Sequence, residues 1–353
     1  MSRPIQARID LSALEGNLNV ARRYAKSRIL AVVKANAYGH GLLRAASALQ
    51  AADGFALLDI RDAITLREAG FRQMLLLLEG AFGVDDMSLL AEYEISSVLH
   101  SHNQIRMLDA YPRRGRLSLW LKLNTGMNRL GFAPEEARAV VSQLSAHPSV
   151  RDITLMTHFA NADMPEGIAT QFERFNAFAA SHNLPRSLAN SAALLRHPTT
   201  HGDWVRPGIM LYGSSPFEDA SAKELGLRPA MTLKSEIISV REIQSGEQVG
   251  YGGMFRSESK MRVGVVACGY ADGYPRHAPT GTPILVDGQR TKTLGRVSMD
   301  MLSVDLSGLS GAGVGSSVTL WGEGLPVDEV AQAAGTISYE VLCALASRVS
   351  VVE

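Results

Sequence analysis

The sequence is poor in the features that would fix its class at once. Two cysteines occur in 353 residues, Cys268 and Cys343. Two separate thiols build neither a disulfide framework nor a zinc knuckle, and both are read as partly buried side chains. No stretch approaches the ~18 consecutive apolar residues of a membrane span. The opening MSRPIQARIDL has no apolar run ahead of a cleavage site, so no secretory signal is expected and the cytoplasm is the expected location. An excess of one charge is also missing. Lysine plus arginine is 35 and aspartate plus glutamate is 35, so no general attraction to nucleic acid or an anionic membrane is expected. Basic runs interleaved with aromatics are absent too. There is no GxGxxG after the first apolar run, no P-loop GKS or GKT, no HExxH and no GxSxG elbow. The nine histidines show no zinc-ligand spacing, so no metal is expected.

What the chain does contain is a regular alternation. Its 46% hydrophobic and 20% charged residues are ordinary for a globular protein. Its length suits two or three domains, or one large α/β barrel with an added unit. Asp10 can cap a helix whose buried stripe is Leu11, Leu14, Leu18 and Ala21. Apolar runs that suit buried parallel strands recur at 29–34, 55–58, 74–78, 95–99, 117–123, 153–157, 187–190 and 204–213, with helical stretches between most of them. Eight such segments close a (β/α)8 barrel, and a doubly wound sheet is the alternative. Near Leu227 the pattern changes to short strands and glycine-rich turns such as VDG at 286–288. The expected organisation is an α/β fold: a (β/α)8 barrel domain over 1–229, then a mainly β domain over 230–353 with one helix at about 326–334.

The C-terminal strand ends form the active face of such a barrel. Lys34 ends the first apolar run, where a lysine can form a Schiff base with an aldehyde cofactor or simply leave for solvent. Tyr38 follows among glycines that would let backbone approach a ligand. Lys122, Arg129 and His158 sit at or beyond later strand ends. Ser191 opens a short helix, as phosphate ligand or plain cap. Arg206 lies after the last run, where Gly208 and Ile209 offer backbone N–H groups and Pro207 does not. Tyr251 and Tyr270 lie in glycine-rich loops of the second half, and would have to reach a barrel site from the same chain or a partner.

Together these segments resemble the alanine racemase family. The matching motifs are VVKANAYGHG (32–41), NTGMNRLGF (124–132), THFANAD (157–163), NSAA (190–193), WVRPGIMLYG (204–213), GYGG (250–253), GYADGYPR (269–276), GRVSMDM (295–301) and ISYE (337–340). Nine motifs in the family's order span almost the whole chain, closest to the catabolic type of Gram-negative bacteria. The resemblance implies a head-to-tail homodimer with shared active sites and pyridoxal 5'-phosphate carried on Lys34. It implies that Tyr38, Ser191, Gly208, Ile209 and Tyr339 hold the phosphate and that Arg206 faces the pyridine nitrogen. Arg129 would contact the phenolate oxygen and His158 would bond toward Arg206. Tyr270 and Met299 would line the substrate side. Lys34 and Tyr251 of the partner subunit would be the two bases that interconvert L- and D-alanine. Lys122 matches a lysine that is carbamylated in several members. Asn124 and Asn128 depart from some relatives. A decarboxylase of basic amino acids on the same scaffold would need an anionic partner for a long side chain, and a broad-specificity racemase is a nearer rival. Non-catalytic cofactor carriers are single barrels without the β domain.

Overall fold

The computed structural model describes residues 3–112 and 115–353. The chain starts with strand β1 (Gln6–Ile9) and the helix Leu11–Tyr24. Asp10 caps that helix by accepting from the Ala13 N–H at 3.0 Å. Leu14, Leu18 and Ala21 of the expected stripe are buried, while Leu11 at the first turn is only partly so.

Eight parallel strands then close a barrel: β2 (Arg28–Val32), β3 (Gly54–Leu57), β4 (Met74–Leu77), β5 (Ile95–Leu99), β6 (Leu117–Lys122), β7 (Val150–Met156), β8 (Arg186–Ser187) and β9 (Trp204–Val205). Closure is made by β2 against β9, with Ile29 opposite Val205. The runs at 95–99 and 117–123 are buried along their whole strands, β5 and β6, as expected of strands covered on both faces. Because all eight strands run the same way, every loop after a strand lies on one face of the barrel.

The second sheet has eight strands and is mixed. Its long strand β10 (Met231–Ile243) pairs antiparallel with β1, Ile9 opposite Met231. Strand β1 also pairs in parallel with residues 350–352. The segment before the first helix, expected with the barrel, thus completes the other sheet. The turn read at 286–288 is a hairpin between Pro283–Val286 and Gln289–Leu294. Asp287 and Gly288 both take positive φ there, +47° and +75°, as a tight two-residue hairpin requires. Besides the expected helix (Val327–Ala333), a second one, Ser338–Cys343, crosses to the barrel's active face. Among the described residues no helix is long and apolar enough to cross a membrane.

Candidate active site

The strand ends collect positive charge. Lys34 follows β2, Lys122 ends β6, His158 follows β7 and Arg206 follows β9. Arg129 stands on the loop after β6. Among the described residues none of Lys34, Lys122, Arg129 and Arg206 forms an ion pair. Burial, followed by the charges of Arg206 and Arg129, pulls the Lys122 amine down to about 8. Glu79, beyond the end of β4, works against that pull. His158 is pushed down to about 3 by burial and then by Arg206, Lys122 and Arg129, so it is neutral. A cluster of unpaired cations held this close is costly unless an anion joins it.

Arg206 is fixed from below. One Nη1 hydrogen goes to Ser187 Oγ at 2.6 Å, and Nη2 donates to the carbonyls of Thr157 at 2.7 Å and Leu188 at 3.2 Å. A guanidinium has five N–H groups, so donors remain for a further acceptor. Burial lowers Arg206 to about 10, which still leaves it protonated at neutral pH. The expected bond from His158 to Arg206 is not made among the described residues. The guanidinium takes the Thr157 carbonyl one residue earlier, and charge alone couples it to the imidazole.

Beside Arg206 lies a small polar cradle. Asn190 caps the helix Ser191–Arg196 through Ala193 N–H at 3.0 Å. That leaves Ser191 Oγ to accept from Gly208 N–H at 2.9 Å. A Cβ on Gly208 would stand 2.7 Å from the Tyr38 hydroxyl, so the close approach requires glycine. Ile209 is buried directly behind it. The Tyr38 ring stacks on Tyr212 at 4.5 Å and meets Tyr339, from the helix Ser338–Cys343, at 5.9 Å. Burial raises both phenols, Tyr38 and Tyr339, so each keeps its O–H as a donor.

The link from Lys34 to this cradle is unusual backbone. Ala35, Asn36, Ala37 and Tyr38 have φ of +53°, +52°, +53° and +52°, one turn of left-handed helix. Left-handed residues other than glycine cost roughly 1–2 kcal/mol each. The turn is closed by Gly39 N–H to Ala35 O at 3.1 Å and Gly41 N–H to Asn36 O at 3.0 Å. The Asn36 side chain accepts from Leu42 N–H at 2.9 Å.

The two asparagines shape the loop that carries Arg129. Asn124 Oδ1 accepts from Asn128 N–H at 3.0 Å and its Nδ2 donates to Asn128 Oδ1 at 3.0 Å. That pair supports the positive φ of Asn128 (+55°), the residue before Arg129.

Tyr251, Tyr270 and Met299 gather elsewhere. They take no part in the contacts that link the barrel cluster among the described residues. Tyr270 N–H donates to Ser298 O at 3.0 Å, which ties its loop to that of Met299. A Cβ on Gly250 would lie 3.7 Å from Arg296, which brings the Tyr251 loop against the same segment. All three side chains are open to solvent in the single chain, at 73%, 37% and 53%, beside exposed Met254 and Met301.

Glu79 and His100 were not among the expected residues, although both follow strands by the rule that found Lys34. His100 Nε2 contacts the Glu79 carbonyl at 3.0 Å, and the Lys122 charge helps lower its pKa after burial. Tyr212, whose hydroxyl donates to Val32 O at 2.8 Å, was also not among them, although it lies within the motif WVRPGIMLYG.

The fold and site define an enzyme class: a (β/α)8 barrel with a cationic active face, capped by a helix of a second, mainly β unit. Sequence profiles described as "Alanine racemase, N-terminal domain" and "Alanine racemase, C-terminal domain" match residues 9–216 and 230–353. A protein of Nitrosospira multiformis named alanine racemase is 61% identical over 99% of both chains. A catabolic alanine racemase of Klebsiella aerogenes is 53% identical over 100% of this chain and 99% of its own. The crystal structure of the biosynthetic alanine racemase from Pseudomonas aeruginosa superposes with a TM-score of 0.96 at 48% identity, covering 99% of each chain. The chain belongs to the alanine racemase family.

Proposed function

We propose that this protein interconverts L- and D-alanine with pyridoxal phosphate held covalently by Lys34. The observation that carries this reading is the carboxylate-poor cationic cluster of Lys34, Lys122, Arg129 and Arg206 beside the Ser191–Gly208–Tyr38 cradle. A phosphorylated pyridine aldehyde fits that donor set. Ser191 Oγ, the N–H groups of Gly208 and Ile209, and the hydroxyls of Tyr38 and Tyr339 would hold its phosphate. When bound, the cofactor supplies an aldehyde for the amino group and a ring that delocalises charge from Cα.

This chain's side chains supply the rest. Arg206 would donate a hydrogen bond to the ring nitrogen without giving up its proton, which limits charge withdrawal and disfavours protonation at the wrong carbon. Arg129 would bind the phenolate oxygen. Lys34 Nζ would take or return the Cα proton on the D face, and the hydroxyl of Tyr251 of the partner subunit would do so on the L face. A tyrosine base needs cations near its oxygen, and the Arg206 region offers that field. Tyr270 and Met299 of the partner subunit would border the alanine. The working form would be a homodimer with shared sites, in the cytoplasm, each chain built from a barrel domain that ends near 229 and a β domain over 230–353 that also takes in β1. The direct test is an absorbance spectrum of the purified protein, then L-alanine with a D-alanine assay. A colourless protein that makes no D-alanine when supplied with pyridoxal phosphate ends this reading.

Lys122 would carry a carbamate. The neutral amine attacks CO2, forming the N–C bond and releasing one proton, so the reaction follows the neutral fraction. With the amine near about 8, that fraction rises as pH climbs from 6 to 8. Protein equilibrated with 13C-bicarbonate should show a carbamate resonance that grows over this range and is missing from Lys122→Ala. No Lys122-dependent resonance at alkaline pH would remove the carbamate from the account.

Gly208→Ala should weaken pyridoxal phosphate binding about 10- to 100-fold, because the added methyl meets the Tyr38 hydroxyl and overpacking costs roughly 1–3 kcal/mol. Titration of the apoprotein, with circular dichroism to verify folding, measures this. Unchanged affinity would place the phosphate elsewhere.

A further inference from the structure

We propose that His40 is a positioning residue, the clamp that holds the left-handed turn after Lys34 in the shape that presents Tyr38. The inference rests on the cofactor reading above. His40 Nδ1 lies 3.0 Å from the carbonyl oxygen of Ala37 and 2.9 Å from that of Tyr38. Both are acceptors, so Nδ1 carries the hydrogen and donates to the last carbonyls of the turn. The other nitrogen, Nε2, is buried and has no partner among the described residues.

This arrangement has a cost. A phenyl ring would fill nearly the same space without burying a lone pair unpaired. The Nδ1–H bonds are what the imidazole contributes beyond volume. They act where the chain most needs support, since four successive side-chain-bearing residues stand at positive φ. Burial pushes His40 down to about 4, so the ring is neutral at physiological pH. The ring also packs against Tyr212 in a tilted pair, centroids 4.7 Å apart, and Tyr212 stacks on Tyr38. His40 thus supports Tyr38 twice, through the backbone carbonyls and through the aromatic row.

Two substitutions separate the clamp from simple packing. His40→Phe keeps ring volume and the face on Tyr212 but has no donor. His40→Asn gives up the ring but keeps an N–H donor at the δ position. Packing alone ranks phenylalanine above asparagine, and the clamp ranks them the other way. The full-length apoprotein is titrated with pyridoxal phosphate, and amide hydrogen exchange is followed over residues 35–42. His40→Phe should weaken binding about 10- to 100-fold, while His40→Asn stays within about threefold. Exchange at Gly39 and Gly41 should quicken in the phenylalanine variant and remain slow in the asparagine variant. If His40→Phe does not fold, His40→Gln, whose amide nitrogen sits one bond too far, replaces it with the same expected loss. Wild-type affinity in the phenylalanine variant, or an equal loss in both, overturns the clamp. Wild-type protein that takes up no pyridoxal phosphate overturns the cofactor reading instead, and exchange in the apoproteins then tests the clamp by itself.

Discussion

Replacing Lys34 by alanine should remove the visible absorption of the bound cofactor and lower alanine racemisation by about 10⁴- to 10⁶-fold, the range for loss of a covalent catalytic group. Lys34 would act twice, as the attachment point and as one of the two bases, so little activity should remain. The identity of the lysine is open to challenge. Lys122 lies in the same cluster, close enough for the Lys34 charge to help lower it, and its amine is the one pulled down to about 8. The two differ in access: Lys122 is buried at the end of β6, whereas Lys34 is half-buried at the start of the turn that leads to Tyr38. Borohydride reduction followed by peptide mapping decides between them. The tag should fall on Lys34, and a tag on Lys122 would reverse the two roles.

The barrel was legible because its strands are written as separated apolar runs. The run at 95–99 coincides with β5, and the other seven overlap their strands. Partnership between distant segments left no such trace. Gln6–Ile9 falls in the span assigned to the barrel, and only its pairing with Met231–Ile243 and residues 350–352 assigns it to the other sheet. The helix Ser338–Cys343 is too short to show a helical period, yet it brings Tyr339 to the barrel. The left-handed turn was hidden for a different reason. Ala35, Ala37 and Tyr38 are poor candidates for positive φ, and tertiary contacts override that preference; only Asn36 among the four is a residue that adopts it readily. One contact is visible at Gly39, where a Cβ would stand 2.4 Å from the Leu342 carbonyl of that same helix. The motif VVKANAYGHG thus marks a place where local rules give way, as is common at functional sites.

The cluster also explains why sequence spacing alone did not define the site. Lys34, Lys122, His158 and Arg206 are far apart along the chain and meet because parallel strands end on one face. The rule applies equally to Glu79 and His100, which no motif had singled out. Glu79 is the carboxylate whose charge opposes the fall in the Lys122 pKa, so the electrostatics of the face include more than the motif residues.

Mixing Lys34→Ala protein with Tyr251→Phe protein should restore activity that neither has alone. Tyr251 is 73% exposed in the single chain and belongs to a surface with Tyr270, Met299 and two exposed methionines. An apolar surface of this kind suits burial against a second copy. If each site takes Lys34 from one subunit and Tyr251 from the other, a hybrid dimer has one site with both lesions and one with neither. Free exchange of equal amounts makes about half the dimers hybrid, so about a quarter of wild-type activity should return. Alone, Tyr251→Phe should lose about 10²- to 10⁴-fold in racemisation, the usual contribution of a positioned base. The loss should also be one-sided in deuterated water. Exchange of the Cα hydrogen of L-alanine should fall with the tyrosine, while that of D-alanine continues through Lys34. No recovery on mixing, with subunit exchange demonstrated by mass labelling, would mean that each site is complete within one chain. Equal loss of exchange from both enantiomers would remove Tyr251 from the role of the L-side base, because a residue acting on one face cannot silence both.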